Sequence, residues 1–171
     1  MNTPKRLFIL GLPGAGKGLI AKTLAKKLDY EFIDADLGLE HQVGDHIADI
    51  LGESGLNHFL KTQGRVLENL KEKNNVVITT DTSVVLLGEN RKLLQDEYSV
   101  YIKAKVATLI ERYEYSPVPL LGNTTQKTLL DKLYQDRDTH YQQTASLTVD
   151  TDIDYFDEHV NCILDDISQG Q

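Results

Sequence analysis

The feature that most constrains the fold of this chain is a glycine-rich segment between an apolar run and an amphipathic run. Residues 6–10 are almost all apolar and predict a buried strand, and residues 19–28 place their apolar side chains at helical spacing. Between them, residues 11–17 (Gly-Leu-Pro-Gly-Ala-Gly-Lys) match the first seven positions of the Walker A phosphate-loop pattern. The sequence therefore predicts a strand–loop–helix unit that binds phosphate.

The residue types in this segment suit a nucleotide phosphate group. Glycines let backbone N–H groups turn toward phosphate oxygens, and the N-terminus of the following helix adds positive charge. Lys17 is placed to reach the β and γ phosphates of a nucleotide. The predicted phosphate-binding residues are Gly11, Gly14, Ala15, Gly16, Lys17, Gly18 and Leu19.

The eighth position of the pattern departs from the usual residue. It normally holds a serine or threonine whose hydroxyl binds magnesium, but this chain has Gly18 followed by Leu19. The next hydroxyl belongs to Thr23, a full helical turn further along. We therefore expect Mg²⁺ to be held mostly by water, by the nucleotide and by an acidic residue.

Short apolar runs alternate with longer amphipathic runs along the whole chain. Such alternation predicts right-handed crossovers and a parallel sheet covered by helices on both faces. We predict an α/β fold, a three-layer sandwich with a five-stranded parallel sheet, in a single domain over residues 1–171. The predicted strands cover residues 6–10, 31–33, 75–79, 99–102 and 146–149, and the predicted helices cover residues 19–28, 51–70, 86–95, 105–113, 126–143 and 154–167.

One segment, residues 114–125, interrupts this alternation. It contains Pro117, Pro119, Gly122 and Asn123, so no regular element is expected to run through it. A loop of this length in a compact domain is usually a mobile lid or disordered. Because the segment directly precedes a long predicted helix, we predict a lid.

The composition argues against several classes of function. Lysine and arginine total 18 against 26 aspartate and glutamate, a formal net charge of −8, and no basic block suggests nucleic-acid binding. The longest nearly uncharged run, residues 76–87, is too short for a membrane span, which needs about 20 apolar residues. The N-terminus lacks the pattern of a signal peptide. The single cysteine, Cys162, excludes an internal disulfide and fits a cytoplasmic protein. We also expect the protein to be a monomer.

Beyond the phosphate loop, the order of motifs over about residues 5–150 resembles the shikimate kinase family. The resemblance implies a P-loop kinase with a nucleoside-monophosphate-kinase-like fold, which transfers the γ-phosphoryl group of ATP to a ring hydroxyl of shikimate with Mg²⁺ as cofactor. The resemblance rests on five segments. Residues 32–36 (Phe-Ile-Asp-Ala-Asp) are similar to the family's Asp-Ser-Asp segment, residues 55–59 (Gly-Leu-Asn-His-Phe) to its Gly-Glu-x-x-Phe stretch, and residues 76–80 to its third strand. Residues 119–121 (Pro-Leu-Leu) are similar to the end of its lid motif, and residues 136–141 (Asp-Arg-Asp-Thr-His-Tyr) to its Arg-x-Pro-Leu-Tyr segment.

The same resemblance implies roles for individual residues. It places Lys17 at the phosphates, Asp34 in the magnesium shell and Asp36 on the substrate hydroxyls, as acceptor of the reacting proton. It pairs Arg137 with a substrate carboxylate and stacks Arg112 on adenine. Lys17 and Asp36 are therefore the candidate catalytic residues and Asp34 the candidate metal ligand. Arg137 is a candidate substrate-binding residue, and Arg112 a candidate nucleotide-binding residue.

Three positions depart from the family pattern around the acceptor and the lid. Leu60 stands where the family has a second carboxylate-binding arginine, Asp81 begins a segment that replaces a triple glycine, and Val118 replaces the lid arginine. Because Asp81 adds negative charge beside the acceptor, we predict that it is a substrate-binding residue and that the acceptor is neutral or cationic. We also predict little or no activity on shikimate.

Simpler interpretations of four of these residues are open at the level of sequence. Asp34 and Asp36 follow a strand, where aspartate is a favoured cap of the next helix. Arg137 lies on a charged helical segment and is also consistent with a solvated ion pair. Asp81 is equally consistent with the cap of a helix that begins near Ser83.

The motifs support three hypotheses about function. The first is an ATP-dependent kinase that phosphorylates a hydroxyl of a small molecule, so that its partners are a nucleotide and an acceptor. The second is a nucleotide-binding pseudokinase with a regulatory or partner-binding role, motivated by Gly18, Leu60 and Val118. The third, an adenylate-kinase-like nucleotide kinase, rests on the sequence of the phosphate loop alone.

Overall fold

The computed structural model describes residues 3–43, 45–114, 126–153 and 155–170, which form five β-strands and seven α-helices. The strands are β1 (Arg6–Leu10), β2 (Glu31–Ala35), β3 (Val76–Thr80), β4 (Tyr98–Lys103) and β5 (Leu147–Asp150). The helices are α1 (Lys17–Leu28), α2 (Leu39–Val43), α3 (Ile47–Leu70), α4 (Gly88–Gln95), α5 (Val106–Glu114), α6 (Gln126–Thr144) and α7 (Phe156–Gln169), with a short 3₁₀ helix at Val84–Leu86.

The five strands form one sheet in the order β2-β3-β1-β4-β5, and every neighbouring pair is parallel. The central strand β1 pairs with β3 on one side and β4 on the other, so that Phe8 lies opposite Ile78 and Ser99. The apolar side chains of these three strands are almost completely buried, as expected when helices cover both faces of a parallel sheet. The predicted α/β fold with a five-stranded parallel sheet is confirmed.

The region between β2 and β3 contains more helix than the sequence pattern indicated. The predicted helix at 51–70 begins earlier, at Ile47, and the short helix α2 precedes it. His46 caps the N-terminus of α3, because its Nδ1 accepts a hydrogen bond from the backbone N–H of Ala48 (3.0 Å). Gly52 then interrupts the helical backbone with φ 69° and ψ 173°. An unusual cap and an interruption at the sixth residue of the helix explain why the pattern missed this part of α3.

Helix α3 packs closely against α4 at Gly64. A Cβ atom at this position would lie 2.6 Å from the side-chain oxygen of Asn90, so that a larger residue would force the two helices apart or displace the amide. The amide nitrogen of Asn90 donates a hydrogen bond to the backbone oxygen of Leu60 (2.8 Å). This contact fixes α3 beside the helix that follows β3.

The predicted lid falls mostly beyond what the structure describes. Glu114 ends α5, and residues 115–125, with Val118 among them, lie outside the described residues. Within the described ranges, no helix combines the length and apolar character needed to cross a membrane.

Candidate active site

The phosphate loop joins β1 to α1, and its backbone shape depends on glycine. Gly16 precedes Lys17, the first residue of α1, and its φ of +91° is a conformation that residues with a side chain rarely adopt. Gly11 follows β1 directly, and a Cβ atom there would lie 2.7 Å from the backbone oxygen of Ile102. The loop therefore leads into the N-terminus of α1, where backbone N–H groups and the helix dipole favour an anion.

Lys17 is almost completely buried in this loop, with 6% of its surface exposed. Its ammonium group donates hydrogen bonds to the backbone oxygens of Gly11 (3.1 Å) and Leu12 (3.2 Å). The same group lies 3.4 Å from Oδ2 of Asp36, which follows β2. The structure thus places the predicted phosphate lysine beside the predicted proton acceptor.

A cavity of about 390 Å³ opens beside these two residues. It extends from the phosphate loop to the carboxyl ends of β2 and β3, where open parallel sheets bind their ligands. Among the described residues that line it, Lys17 is the single cation, and Asp34 and Asp36 carry negative charge. The lining residues are Pro13, Gly14, Gly16, Lys17, Gly18, Asp34, Asp36, Leu37, Gly38, Gln42, Thr79 and Thr82.

The two aspartates after β2 are held by hydrogen bonds around one turn. Oδ1 of Asp34 accepts hydrogen bonds from the Thr79 hydroxyl (2.7 Å) and from the backbone N–H of Asp36 (3.0 Å). Oδ1 of Asp36 accepts one from the backbone N–H of Gly38, just before α2 (3.0 Å). These bonds fix the carboxylates at the cavity, whereas neither caps the first turn of a helix directly.

The surroundings of Asp34 fit a magnesium ion that is shared with a nucleotide. Mg²⁺ in proteins usually binds one or two carboxylates together with substrate phosphates and water. In the described part of the chain, no group of three or more histidine, cysteine, aspartate or glutamate side chains is arranged to hold a metal ion. A metal at Asp34 would therefore take the rest of its ligands from phosphate oxygens and water.

Next to the cavity lies a buried ion pair that the sequence did not predict. Arg137 on α6 is 0% exposed, and its two terminal nitrogens donate to the two carboxylate oxygens of Glu40 on α2 (2.5 and 2.6 Å). The Thr82 hydroxyl also donates to Oε1 of Glu40 (2.9 Å), and the backbone N–H of Ile47 donates to Oε2 (2.8 Å). The guanidinium is thus engaged within the protein, and its contact with a substrate carboxylate stays a prediction.

The charge of Arg137 controls the ionisation of Glu40. Burial raises the pKa of the Glu40 carboxyl, but the hydrogen bonds and charge of Arg137, together with the hydrogen bonds from Ile47 and Thr82, outweigh burial and hold that pKa below its usual range. Glu40 is therefore ionised at neutral pH, and the pair is a charged one.

Asp81, the predicted substrate-binding residue after β3, is 4% exposed and does not belong to the lining of the 390 Å³ cavity. Its Oδ1 accepts hydrogen bonds from the backbone N–H (3.0 Å) and the hydroxyl (2.5 Å) of Ser83. Burial raises the pKa of Asp81, the Ser83 bonds oppose that rise, and the carboxylates of Asp36 and Glu40 add to it. The side chain stabilises the turn into the 3₁₀ helix, and a substrate contact stays a prediction.

A smaller cavity, of about 220 Å³, shares residues 15–16 with the phosphate loop. Arg112 on α5 lines it and is fixed by a hydrogen bond to the backbone oxygen of Thr151 (2.6 Å). The ring of Phe156 and the exposed side chain of Leu19 line the same cavity. A planar cation, an aromatic ring and an apolar side chain suit a nucleobase, and the contact of Arg112 with adenine stays a prediction.

Comparison with known proteins places the chain in a family. The sequence model of the family described as "Shikimate kinase" matches residues 13–168. The chain belongs to the shikimate kinase family. A shikimate kinase from Xylella fastidiosa (strain 9a5c) is 34% identical over 154 residues, which cover 89% of this chain and 86% of that protein. A second, from Actinobacillus succinogenes, is 34% identical over 155 residues and 89% of each chain.

Solved structures of shikimate kinases share the fold. The structure of shikimate kinase from Acinetobacter baumannii in complex with shikimate has a TM-score of 0.80 and 26% sequence identity, over 99% of this chain and 96% of that one. Membership of the shikimate kinase family supports an ATP-dependent small-molecule kinase, as the first hypothesis predicts. Nothing in these comparisons favours the second hypothesis, a nucleotide-binding pseudokinase.

Proposed function

We propose that this chain transfers the γ-phosphoryl group of ATP to a hydroxyl of a small molecule bound between Asp36 and Thr82. The observation that carries the proposal is the 3.4 Å contact between Lys17 and Asp36 at one cavity. Phosphoryl transfer to a hydroxyl needs positive charge on the phosphate and a group that receives the hydroxyl proton. These two side chains supply both requirements side by side.

Each residue has a distinct task in the proposed reaction. Lys17 and the N-terminus of α1 hold the phosphate oxygens and stabilise the negative charge that spreads over them in the transition state. Asp36 orients the acceptor hydroxyl and accepts its proton. Asp34 would hold Mg²⁺, which when bound neutralises charge on the β and γ phosphates. Arg112 and Phe156 enclose the adenine.

Binding of the nucleotide is tested by calorimetry with ATP and ADP, with and without Mg²⁺. We expect Lys17→Ala to lose at least about tenfold in affinity, because a hydrogen bond to a charged group is worth about 1.5–3 kcal/mol. Lys26→Ala removes an exposed lysine from the same helix and serves as the matched control. Equal affinities in Lys17→Ala and the wild type would contradict the assignment of the phosphate site.

Phosphoryl transfer is tested by ADP release with a panel of hydroxylated acceptors. We expect Asp36→Asn to lower kcat by about 10²–10⁴, the usual contribution of a general base, while it still binds ATP. Full activity in Asp36→Asn would rule out its role as proton acceptor. Shikimate, the ligand of the A. baumannii relative, belongs in the panel, and we expect little turnover of it.

A further inference from the structure

The ammonium group of Lys17 already has three partners within the protein. An ammonium group carries three N–H donors, and three acceptor oxygens lie within 3.4 Å of Nζ. They are the backbone oxygens of Gly11 (3.1 Å) and Leu12 (3.2 Å) and Oδ2 of Asp36 (3.4 Å). A phosphate oxygen must therefore replace at least one of these partners when Lys17 binds a nucleotide. If the released partner is a buried carbonyl, it needs another donor, because a buried carbonyl without one is costly.

Both loop carbonyls have a second donor beside Lys17. The backbone oxygen of Leu12 accepts a hydrogen bond from the backbone N–H of Ala15 (3.2 Å), within the loop itself. The backbone oxygen of Gly11 accepts one from the hydroxyl of Tyr141 on α6 (3.3 Å), a residue 130 positions away in the sequence. Release of Lys17 from Gly11 therefore depends on a side chain outside the phosphate loop.

The same Tyr141 hydroxyl also contacts the turn that follows β3. It donates to the backbone oxygen of Thr82, whose residue lines the 390 Å³ cavity. Because a hydroxyl has a single hydrogen, the two carbonyls share it in a three-centre hydrogen bond. Gly11 follows β1, which is the neighbour of β3 in the sheet. The hydroxyl thus joins the phosphate loop to the next turn along the sheet edge.

Packing holds the Tyr141 ring in place. The residue is 0% exposed, and its ring stacks on that of Tyr101 with centroids 4.8 Å apart and an interplanar angle of 25°. Burial raises the pKa of the Tyr141 hydroxyl, so it is protonated at neutral pH and acts as a donor. A donor fixed in this way stays beside Gly11 when Lys17 turns away.

We propose that Tyr141 is a positioning residue for Lys17, because its hydroxyl keeps the Gly11 carbonyl hydrogen-bonded when the ammonium group leaves it for a nucleotide phosphate. This inference rests on the proposed function, in which Lys17 binds the phosphates. Tyr141 does not belong to the lining of the cavity, so it acts on the nucleotide through Lys17. Without the hydroxyl, ATP would have to compete with the Gly11 carbonyl for the ammonium group.

The test is calorimetric binding of ATP to Tyr141→Phe, which keeps the ring and removes the hydroxyl. We expect binding about tenfold weaker than in the wild type, because the Gly11 carbonyl is left without a donor once Lys17 moves. Tyr101→Phe is the matched control. It removes a buried hydroxyl from the stacked ring, whose hydrogen bond goes to Asp138 (2.8 Å), and it should bind ATP as the wild type does. Thermal unfolding of both variants checks that each is folded.

The Lys17→Ala background separates this role from a general effect on the fold. There the Gly11 carbonyl loses no partner on binding, so the addition of Tyr141→Phe should cause no further loss of ATP affinity. Unchanged ATP affinity in Tyr141→Phe, or the same fold-loss with and without Lys17, would overturn this inference alone, provided that Lys17→Ala binds ATP more weakly than the wild type. If Lys17→Ala binds ATP as tightly as the wild type, the assignment of the phosphate site fails as well.

Discussion

Two glycines of the phosphate loop, Gly16 and Gly18, lie two positions apart but differ in whether the backbone conformation requires a glycine. Gly16 has a φ of +91°, which strains any residue with a side chain. Gly18 lies in α1 with no positive φ, and a Cβ atom there would have no neighbour within 4 Å. The first glycine is therefore needed for the shape of the backbone and the second is not.

This difference gives a prediction for stability. We expect Gly16→Ala to lower the free energy of unfolding by about 1–2 kcal/mol, the cost of a left-handed conformation. Gly18→Ala should raise it by up to about 1 kcal/mol, because alanine favours a helix more than glycine does. Urea unfolding of the two variants beside the wild type measures both changes. A Gly16→Ala variant as stable as Gly18→Ala would show that the strain argument is wrong.

At the level of elements, three polar contacts tie α6 to α2 and α3. Arg137 binds Glu40, Asp136 binds the ring of His46 (2.8 Å), and Lys132 binds Asp49 (3.2 Å). Nδ1 of His46 accepts the capping bond from Ala48, so that Nε2 is the nitrogen that donates to Asp136. Helices α2 and α3 are therefore held to α6 along one side.

The buried ion pair between Glu40 and Arg137 makes the free energy of unfolding depend on pH in the acidic range. The pKa of Glu40 is lower in the folded protein than in the unfolded chain, so its stabilising contribution is complete above the unfolded value. That contribution is lost as pH falls through the folded pKa, below the usual range for glutamate. We therefore expect the wild type to lose stability in this acidic window more steeply than the double variant Glu40→Gln/Arg137→Gln, which cannot ionise there.

Urea unfolding at a series of pH values from neutral to acidic measures this slope. The neutral pair in the double variant keeps a hydrogen-bonding group on each side, which limits the structural change. Glu31→Gln, which removes an exposed carboxylate on β2, serves as the control for loss of a negative charge. Parallel stability profiles for the wild type and the double variant would contradict the link between Glu40 and acid stability.

Most of the secondary-structure elements could be predicted from a few consecutive residues of the sequence. The five strands and most helices were predicted because their apolar periodicity lies within a few consecutive residues. The helix α2 was missed, since only five residues form it and Glu40 within it has its partner 97 residues away. Short elements stabilised by distant contacts leave no periodic signal.

Across the whole molecule, the residues of the phosphate-loop cavity were more predictable than the contacts of Arg137 behind it. The phosphate loop is a contiguous pattern, and the resemblance to known kinases supplied positions for Asp34, Asp36 and Arg112. Glu40 and Thr82 gave no such signal, because they meet Arg137 only after α2, β3 and α6 assemble. The contacts of Arg137 are therefore defined by tertiary structure.

The strand order β2-β3-β1-β4-β5 also places the candidate site residues at different positions across the sheet. Asp36 and Thr82 follow the two strands at one edge, Gly11 follows the central strand, and Thr151 follows the strand at the opposite edge. With neighbouring strands about 4.8 Å apart, the sheet separates these edges by about 19 Å. A substitution beside Thr82 therefore lies almost the full width of the sheet away from Thr151, which holds Arg112 by a hydrogen bond.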